Sequence, residues 1–294
     1  MSESSPSQYE ELGVSTSKSG VRVALKDVDK GIYPNAFCKI VPDLVAGDPN
    51  YCNIMHADTA GTKAALAYMY MRETGDNKAL LDLAINPIEM NLGDIGCVGA
   101  VGEENILLSC TVGRNPKRVP DSDLPPLLSG TGKHCDHLRA LGVNVYALGG
   151  ETADVGDIVR TQDIGHVAFS RIPRKNVIDI RMKEGDAVVG IASSGQATYE
   201  KEYNSGLGSN GYTLLRHGGL HPDYRSKYPE TYNSDLPIEK IYRAFFLVSL
   251  YAIAYLLCID MEHSGRFYDV CDTIGSDIQL HHVTTVECFV HLSP

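Results

Sequence analysis

The stretch IVPDLVAGDPNYCNIMHAD (residues 40–58) reads as two apolar strand-like runs joined by the turn signal GDPN. The helical run GTKAALAYMYMRETG (61–75) follows at once and ends on Gly75, a C-cap residue. This switch of hydrophobic period from 2 to 3.6 within a few residues constrains the fold more than any other feature of the chain. The alternation then continues. KALLDLAINPIEMNLGDIG (78–96) is helical in composition, with Pro87 predicting a kink or a restart. NILLSCTVGR (105–114) reads as a strand, and PPLLSGTGKHCDHLRALG (125–142) as a helix ending at Gly142. VNVYALGGETA (143–153) reads as a strand and then a loop. Such a sequence of elements argues for an α/β or α+β architecture. Around Ile172–Asp186 the pattern restarts ahead of the strand-like AVVGIASSG (187–195), which places a domain boundary near residue 173. The expected division is a flexible N-terminus (1–20), an N-terminal domain (21–172), a partial second domain (173–243) and an apolar tail (244–294).

Composition excludes several classes. Of 294 residues, 43% are apolar and 21% charged, as in a soluble globular protein. The formal net charge of −11 gives nucleic-acid binding no global electrostatic support. The opening MSESSPSQYEELG lacks the apolar core of a signal peptide. Eight cysteines occur singly, without C-x-x-C, which fits reduced thiols and a cytoplasmic location. The tail differs from the rest, holding only two of the 28 glycines, one of the 14 prolines and no lysine. It opens with AFFLVSLYAIAYLLCI, sixteen uncharged residues, short of the roughly 20 that a spanning helix needs. A buried or interfacial helix is expected there, and no membrane partner.

Three motifs carry chemistry. HADTAGTK (56–63) places an acid, a glycine and a Thr-Lys pair where a strand ends and a helix begins. That junction can hold a cation-bound phosphate at a helix N-terminus, or it can be an ordinary capped turn. IEMNLGDIGCVGA (88–100) sets Asp94 among small residues, as a magnesium ligand or as a capping or surface residue. LGGETADVGD (148–157) puts two glycines, an acid and a threonine directly behind an apolar run, where something can approach the backbone closely. GLGSNG (206–211) has the spacing of a dinucleotide loop but lacks the apolar strand in front of it. It reads instead as a polar loop ahead of the helix SNGYTLLRHGG, with Ser209 or Asn210 as N-cap. The pair His134 and His137 reads as a solvated helix face, and the tail's His281, His282, Cys288 and His291 form no convincing zinc set.

Taken in order, strand–HADTAGTK, helix–MNLGD, strand–LGGETADVGD and GIASSGQATYEKEYNSGLGSNGYTLLR resemble the phosphoribosylformylglycinamidine cyclo-ligases, also called aminoimidazole ribonucleotide synthetases. The resemblance spans roughly residues 8–243 and is greatest to the Bacteroidetes-type branch. It implies the two-domain ATP-binding fold of that superfamily, here with an incomplete second domain. It also implies a homodimer whose N-terminal sheets close a shared barrel, with ATP and Mg²⁺ in clefts between subunits. The implied reaction converts formylglycinamidine ribonucleotide and ATP to aminoimidazole ribonucleotide, ADP and phosphate.

Residue by residue, Asp58 matches the acid of the family's D-G-x-G-T-K motif, completed by Gly61, Thr62 and Lys63 at the phosphates. Asp94 matches the acid after the Met-x-x-Asn/Asp stretch, as catalytic residue and metal ligand. Gly149, Gly150, Glu151 and Thr152 would meet the nucleotide, with Glu151 also on the metal, and Ser209, Asn210 and Gly211 would meet substrate. Three departures stand out. Thr59 replaces a glycine, which predicts a distorted phosphate loop, because a β-branched residue disfavours positive φ. Gly93 replaces a polar residue beside Asp94. The family's C-terminal half is absent after Arg243, which predicts impaired turnover. A catalytically inactive nucleotide-binding dimer and another ATP-dependent enzyme of the superfamily are the alternatives.

Overall fold

The computed structural model describes residues 7–187 and 211–244. Its elements in chain order are α1 (Gln8–Glu11), α2 (Ser19–Ala24), β1 (Ile40–Pro42), β2 (Tyr51–Thr59), α3 (Lys63–Thr74), α4 (Lys78–Gly96), β3 (Ile106–Arg114), α5 (Leu124–Ala140), β4 (Val145–Asp154), β5 (Gln162–Pro173), α6 (Tyr212–Gly219) and α7 (Asp223–Lys227). The five strands form one sheet in the order β1-β2-β5-β3-β4. Neighbours are antiparallel except β3 and β4, which run parallel around the crossover helix α5. The mixed α/β architecture expected from the alternation is present.

The β1–β2 turn is organised by Asp43, whose carboxylate accepts from the backbone N–H of Val45, Ala46 and Asp48 and from the Asn53 amide and Arg171. Burial pushes this carboxyl up, but Arg171 and those donors outweigh it and hold it at about 2. Helices α3, α4 and α5 cover one face of the sheet. There Ile54, Ile88, Ile95, Ile106, Leu108, Val145, Ala168 and Ile172 form a continuous apolar core. A second core joins α3 and the start of α4 to Tyr212, Leu220, Tyr228 and Tyr242 of the 211–244 segment. The other sheet face carries no helix of the described residues. Across it runs the rung Met55–Phe169–Leu107–Tyr146, with Met55 65% exposed.

Four expectations need correction. Strand β5, the central strand, has no counterpart in the sequence reading. α4 runs on through Pro87 rather than restarting there. Packing of Asn86, Pro87 and Ile88 in the interior outweighs the one backbone bond that proline forfeits. LGGETAD lies inside β4 rather than in a loop after it. The register slips by one residue between Leu108 and Cys110, so that β4 bulges at Leu148–Gly149. A Cβ on Gly150 would collide with the Cys110 carbonyl oxygen, so what approaches this glycine closely is the backbone of β3. Finally, α6 is capped by Gly211, in a left-handed conformation with φ +90°, and not by Ser209 or Asn210. The strand-like run 188–195, Ser209, Asn210 and the tail from 245 onward lie outside the described residues. Among the described residues, no helix is long and apolar enough to cross a membrane.

Candidate functional site

Alternation along β2 puts His56 and Asp58 on the helix-covered face, two residues apart and pointing the same way. The last two turns of α4 pass over that end of the strand and bring Asn91 and Asp94 down onto it. His56 Nε2 lies 3.1 Å from Asp94 Oδ2, and His56 Nδ1 lies 3.1 Å from Asn91 Oδ1. Single donor atoms of His56, Asp58 and Asp94 all fall within 4.8 Å of one another, and all three residues are half-buried. Two carboxylates in this setting fit a divalent cation. Burial raises the Asp94 carboxyl above its ordinary range, His56 pulls it down, and the neighbouring Asp58 adds to the rise. That mutual repulsion is what a bound cation would relieve. Cys38 donates its thiol to the Asp94 carbonyl at 3.3 Å, tying the end of α4 in place.

Directly after Asp58 the chain turns into α3. Thr59 closes β2 as a strand residue, without a positive φ, as expected of a β-branched residue. Gly61 takes the left-handed conformation (φ +56°), and its N–H donates to Asp163 Oδ1 at 3.0 Å. Asp163 is pushed up by burial, against the bonds from Gly61, Thr59 and Ile164. Thr62 begins α3 without a side-chain cap, and its hydroxyl accepts from Thr213 of α6 at 3.3 Å. The buried Lys63 ammonium sits 4.8 Å over the Tyr212 ring. The two sequence motifs GTK and the described end of SNG are therefore side by side, the N-terminus of α6 against the N-terminus of α3.

Gly149, Gly150, Glu151 and Thr152 lie elsewhere. Glu151 pairs with Thr111, which pairs with Gly165, which pairs with Thr59. Three interstrand steps, about 14 Å, thus separate Glu151 from the end of β2 within one chain. A Cβ at Gly93 would meet nothing within 4 Å, so the missing polar side chain leaves open space beside Asp94. Sequence reasoning did not single out His56, Asn91, Asp163 or His166. The first could have been found from its i, i+2 relation to Asp58 on a strand. The others become neighbours only through tertiary packing. His166 on β5 is buried next to the site, with Nε2 3.1 Å from the Thr131 hydroxyl.

No protein-family model matches the chain. Among curated proteins, the phosphoribosylformylglycinamidine cyclo-ligase of Lachnoclostridium phytofermentans is 29% identical over 180 residues, 60% of this chain and 41% of that protein. The Pyrococcus furiosus cyclo-ligase is 30% identical over 169 residues (57% and 42%), and that of Thermococcus kodakarensis 32% over 136 residues (46% and 34%). The chain is similar to the cyclo-ligases. The match spans 34–42% of the length of these relatives. Among solved structures, AaThiL complexed with AMPPCP and TMP aligns with TM-score 0.38 and 15% identity, over 76% of this chain and 64% of that one. Phosphoribosylformylglycinamidine synthase II of Thermotoga maritima aligns with TM-score 0.33 and 12% identity (52% and 22%). Scores this low carry no argument about the site.

Proposed function

We propose that this chain performs cyclo-ligase chemistry, closing the imidazole ring of aminoimidazole ribonucleotide from formylglycinamidine ribonucleotide at the expense of ATP. The observation that carries the reading is the convergence of Asp58 and Asp94 beside the α3 N-terminus, in a chain similar to cyclo-ligases. Asp58 and Asp94 would hold a divalent cation, which when bound neutralises the triphosphate. The turn Gly61–Thr62 presents the start of α3, whose partial positive charge suits a phosphate, and Lys63 adds charge beneath it. Gly211, with Ser209 and Asn210, would border the substrate. The formyl oxygen takes the γ-phosphoryl group from ATP, and ADP departs. The amidine nitrogen then forms a bond to the formyl carbon and loses a proton, while the C–O bond breaks and phosphate leaves. Positioning and charge neutralisation are what the protein must supply.

The same reading includes a homodimer, a cytoplasmic location and a second domain beginning near residue 173. The uncovered sheet face, with Met55, Tyr146 and Leu148 exposed, is the surface that supports dimerisation. Glu151 shares a row with Thr59 on that same face, opposite the helix-covered face that carries Asp58 and Asp94, so pairing of two such faces would set Glu151 against the partner chain.

The test is a discontinuous assay of the purified full chain with formylglycinamidine ribonucleotide, ATP and a divalent cation. Aminoimidazole ribonucleotide and ADP are expected in equal amounts, and Asp94→Asn should abolish both. ATP binding without product would replace this reading with a nucleotide-binding dimer.

A further inference from the structure

The Asn91 amide fixes which ring nitrogen of His56 donates. Its Nδ2 donates to two backbone carbonyls, Pro87 at 2.8 Å and His166 at 2.9 Å, so its Oδ1 must be the atom facing His56 Nδ1. Asn91 is wholly buried and cannot turn over without stranding both carbonyls. Nδ1 is therefore the ring's donor, and in the neutral imidazole Nε2 carries a lone pair. That lone pair points at Asp94 Oδ2 from 3.1 Å. Asp58 supplies a third donor atom within 4.8 Å of the other two. An imidazole whose other nitrogen donates to a fixed carbonyl oxygen is the arrangement that prepares a histidine to bind a metal. Adjacent donors around an ion with bonds of about 2.1 Å stand about 3 Å apart, which is the His56–Asp94 spacing.

We infer that His56 is itself a metal ligand, and that the His56–Asp58–Asp94 site selects a first-row divalent transition ion over Mg²⁺. The inference rests on the reading of Asp58 and Asp94 as a cation site and names the ion that site prefers. Two carboxylates alone suit Mg²⁺ and Mn²⁺ alike. An imidazole nitrogen is a poor ligand for the hard Mg²⁺ and a good one for transition ions. Asn91 is then a positioning residue that holds the ring with its lone pair forward.

The full chain, freed of metal, should be titrated with Mn²⁺ without nucleotide, reading free Mn²⁺ by its electron paramagnetic resonance signal and then adding Mg²⁺ as competitor. Mn²⁺ is the probe because it is the weakest binder of the transition series, so a preference seen with it holds for the rest. One site per chain is expected, at least about tenfold tighter for Mn²⁺ than for Mg²⁺. Electron spin-echo modulation from a directly bound imidazole nitrogen is expected in the wild type. His56→Ala, checked for folding by circular dichroism, should lose that modulation and at least about tenfold in Mn²⁺ affinity. A simple His56–Asp94 ion pair predicts the opposite sign: removing a competing cation leaves Mn²⁺ affinity unchanged or raises it. That result, absent nitrogen modulation, or equal Mn²⁺ and Mg²⁺ affinities would overturn the inference while leaving the cation site standing. Failure of both ions to bind the wild type would overturn the site as well.

Discussion

Burial holds His166 and His217 neutral, each with its pKa lowered to about 4; at His217 the charges of Arg216 and Arg243 add to the effect. In the unfolded chain both would titrate near 6.5. Between pH 6.5 and 4 the unfolded state therefore binds more protons, so stability is full above this window and is lost as pH falls through it. Each residue contributes a slope of up to about 1.4 kcal/mol per pH unit. The raised carboxyls Asp94 and Asp163 act with the opposite sign at the acid end, because their protonated forms are favoured in the native state. Urea midpoints measured from pH 7 to 4.5 should fall steadily, and His217→Gln should flatten the fall. A wild-type midpoint independent of pH would contradict the neutral burial of these rings. A second residue-scale expectation concerns Gly150. Alanine there meets the Cys110 carbonyl, and a loss of more than about 3 kcal/mol is expected in urea unfolding. A loss under about 1 kcal/mol would mean that the bulge of β4 yields easily.

Helix α4 carries Asn91 and Asp94, and its seat depends on Gly130 of α5. A Cβ at that position would run into the Leu81 carbonyl and the Ala84 methyl. Gly130→Ala should therefore force the two helices apart, at a cost of about 1–3 kcal/mol in stability. Metal affinity should fall with it, because Asp94 rides on the displaced helix. Unchanged affinity together with unchanged stability would show that α4 is held by the sheet alone. At this scale the sequence was readable wherever one period dominated. GTKAALAYMYMRETG announced α3 together with its Gly75 stop, and the β1–β2 hairpin followed from GDPN. Strand β5 escaped because polar residues interrupt its alternation. Gln162, His166 and Ser170 occupy inward positions between Ile164, Ala168 and Ile172, so the apolar pattern that marks a strand is broken. Asp58 and Asp94 could be named from motifs, whereas Asn91 and Asp163 acquire their roles only when α4 and β5 come together on β2.

At the scale of the whole molecule, the proposed dimer rests on the apolar sheet face that no helix of the described residues covers. Light scattering at micromolar concentration should give a dimer, and Met55→Lys combined with Leu148→Glu should give a folded monomer. A wild-type monomer with native circular dichroism would remove the dimer. The central claim is that Asp58 and Asp94 hold a cation through which this chain binds ATP. Without the cation these carboxylates repel a triphosphate; with it they attract one. The most direct measurement is calorimetric titration of ATP into the full chain, with and without divalent cation, in the wild type and in Asp94→Asn. One nucleotide per chain is expected, binding only with the cation present and weakened at least about tenfold, roughly 1.4 kcal/mol, by the substitution. Equal affinity in Asp94→Asn, or ATP binding that ignores the cation, would contradict it.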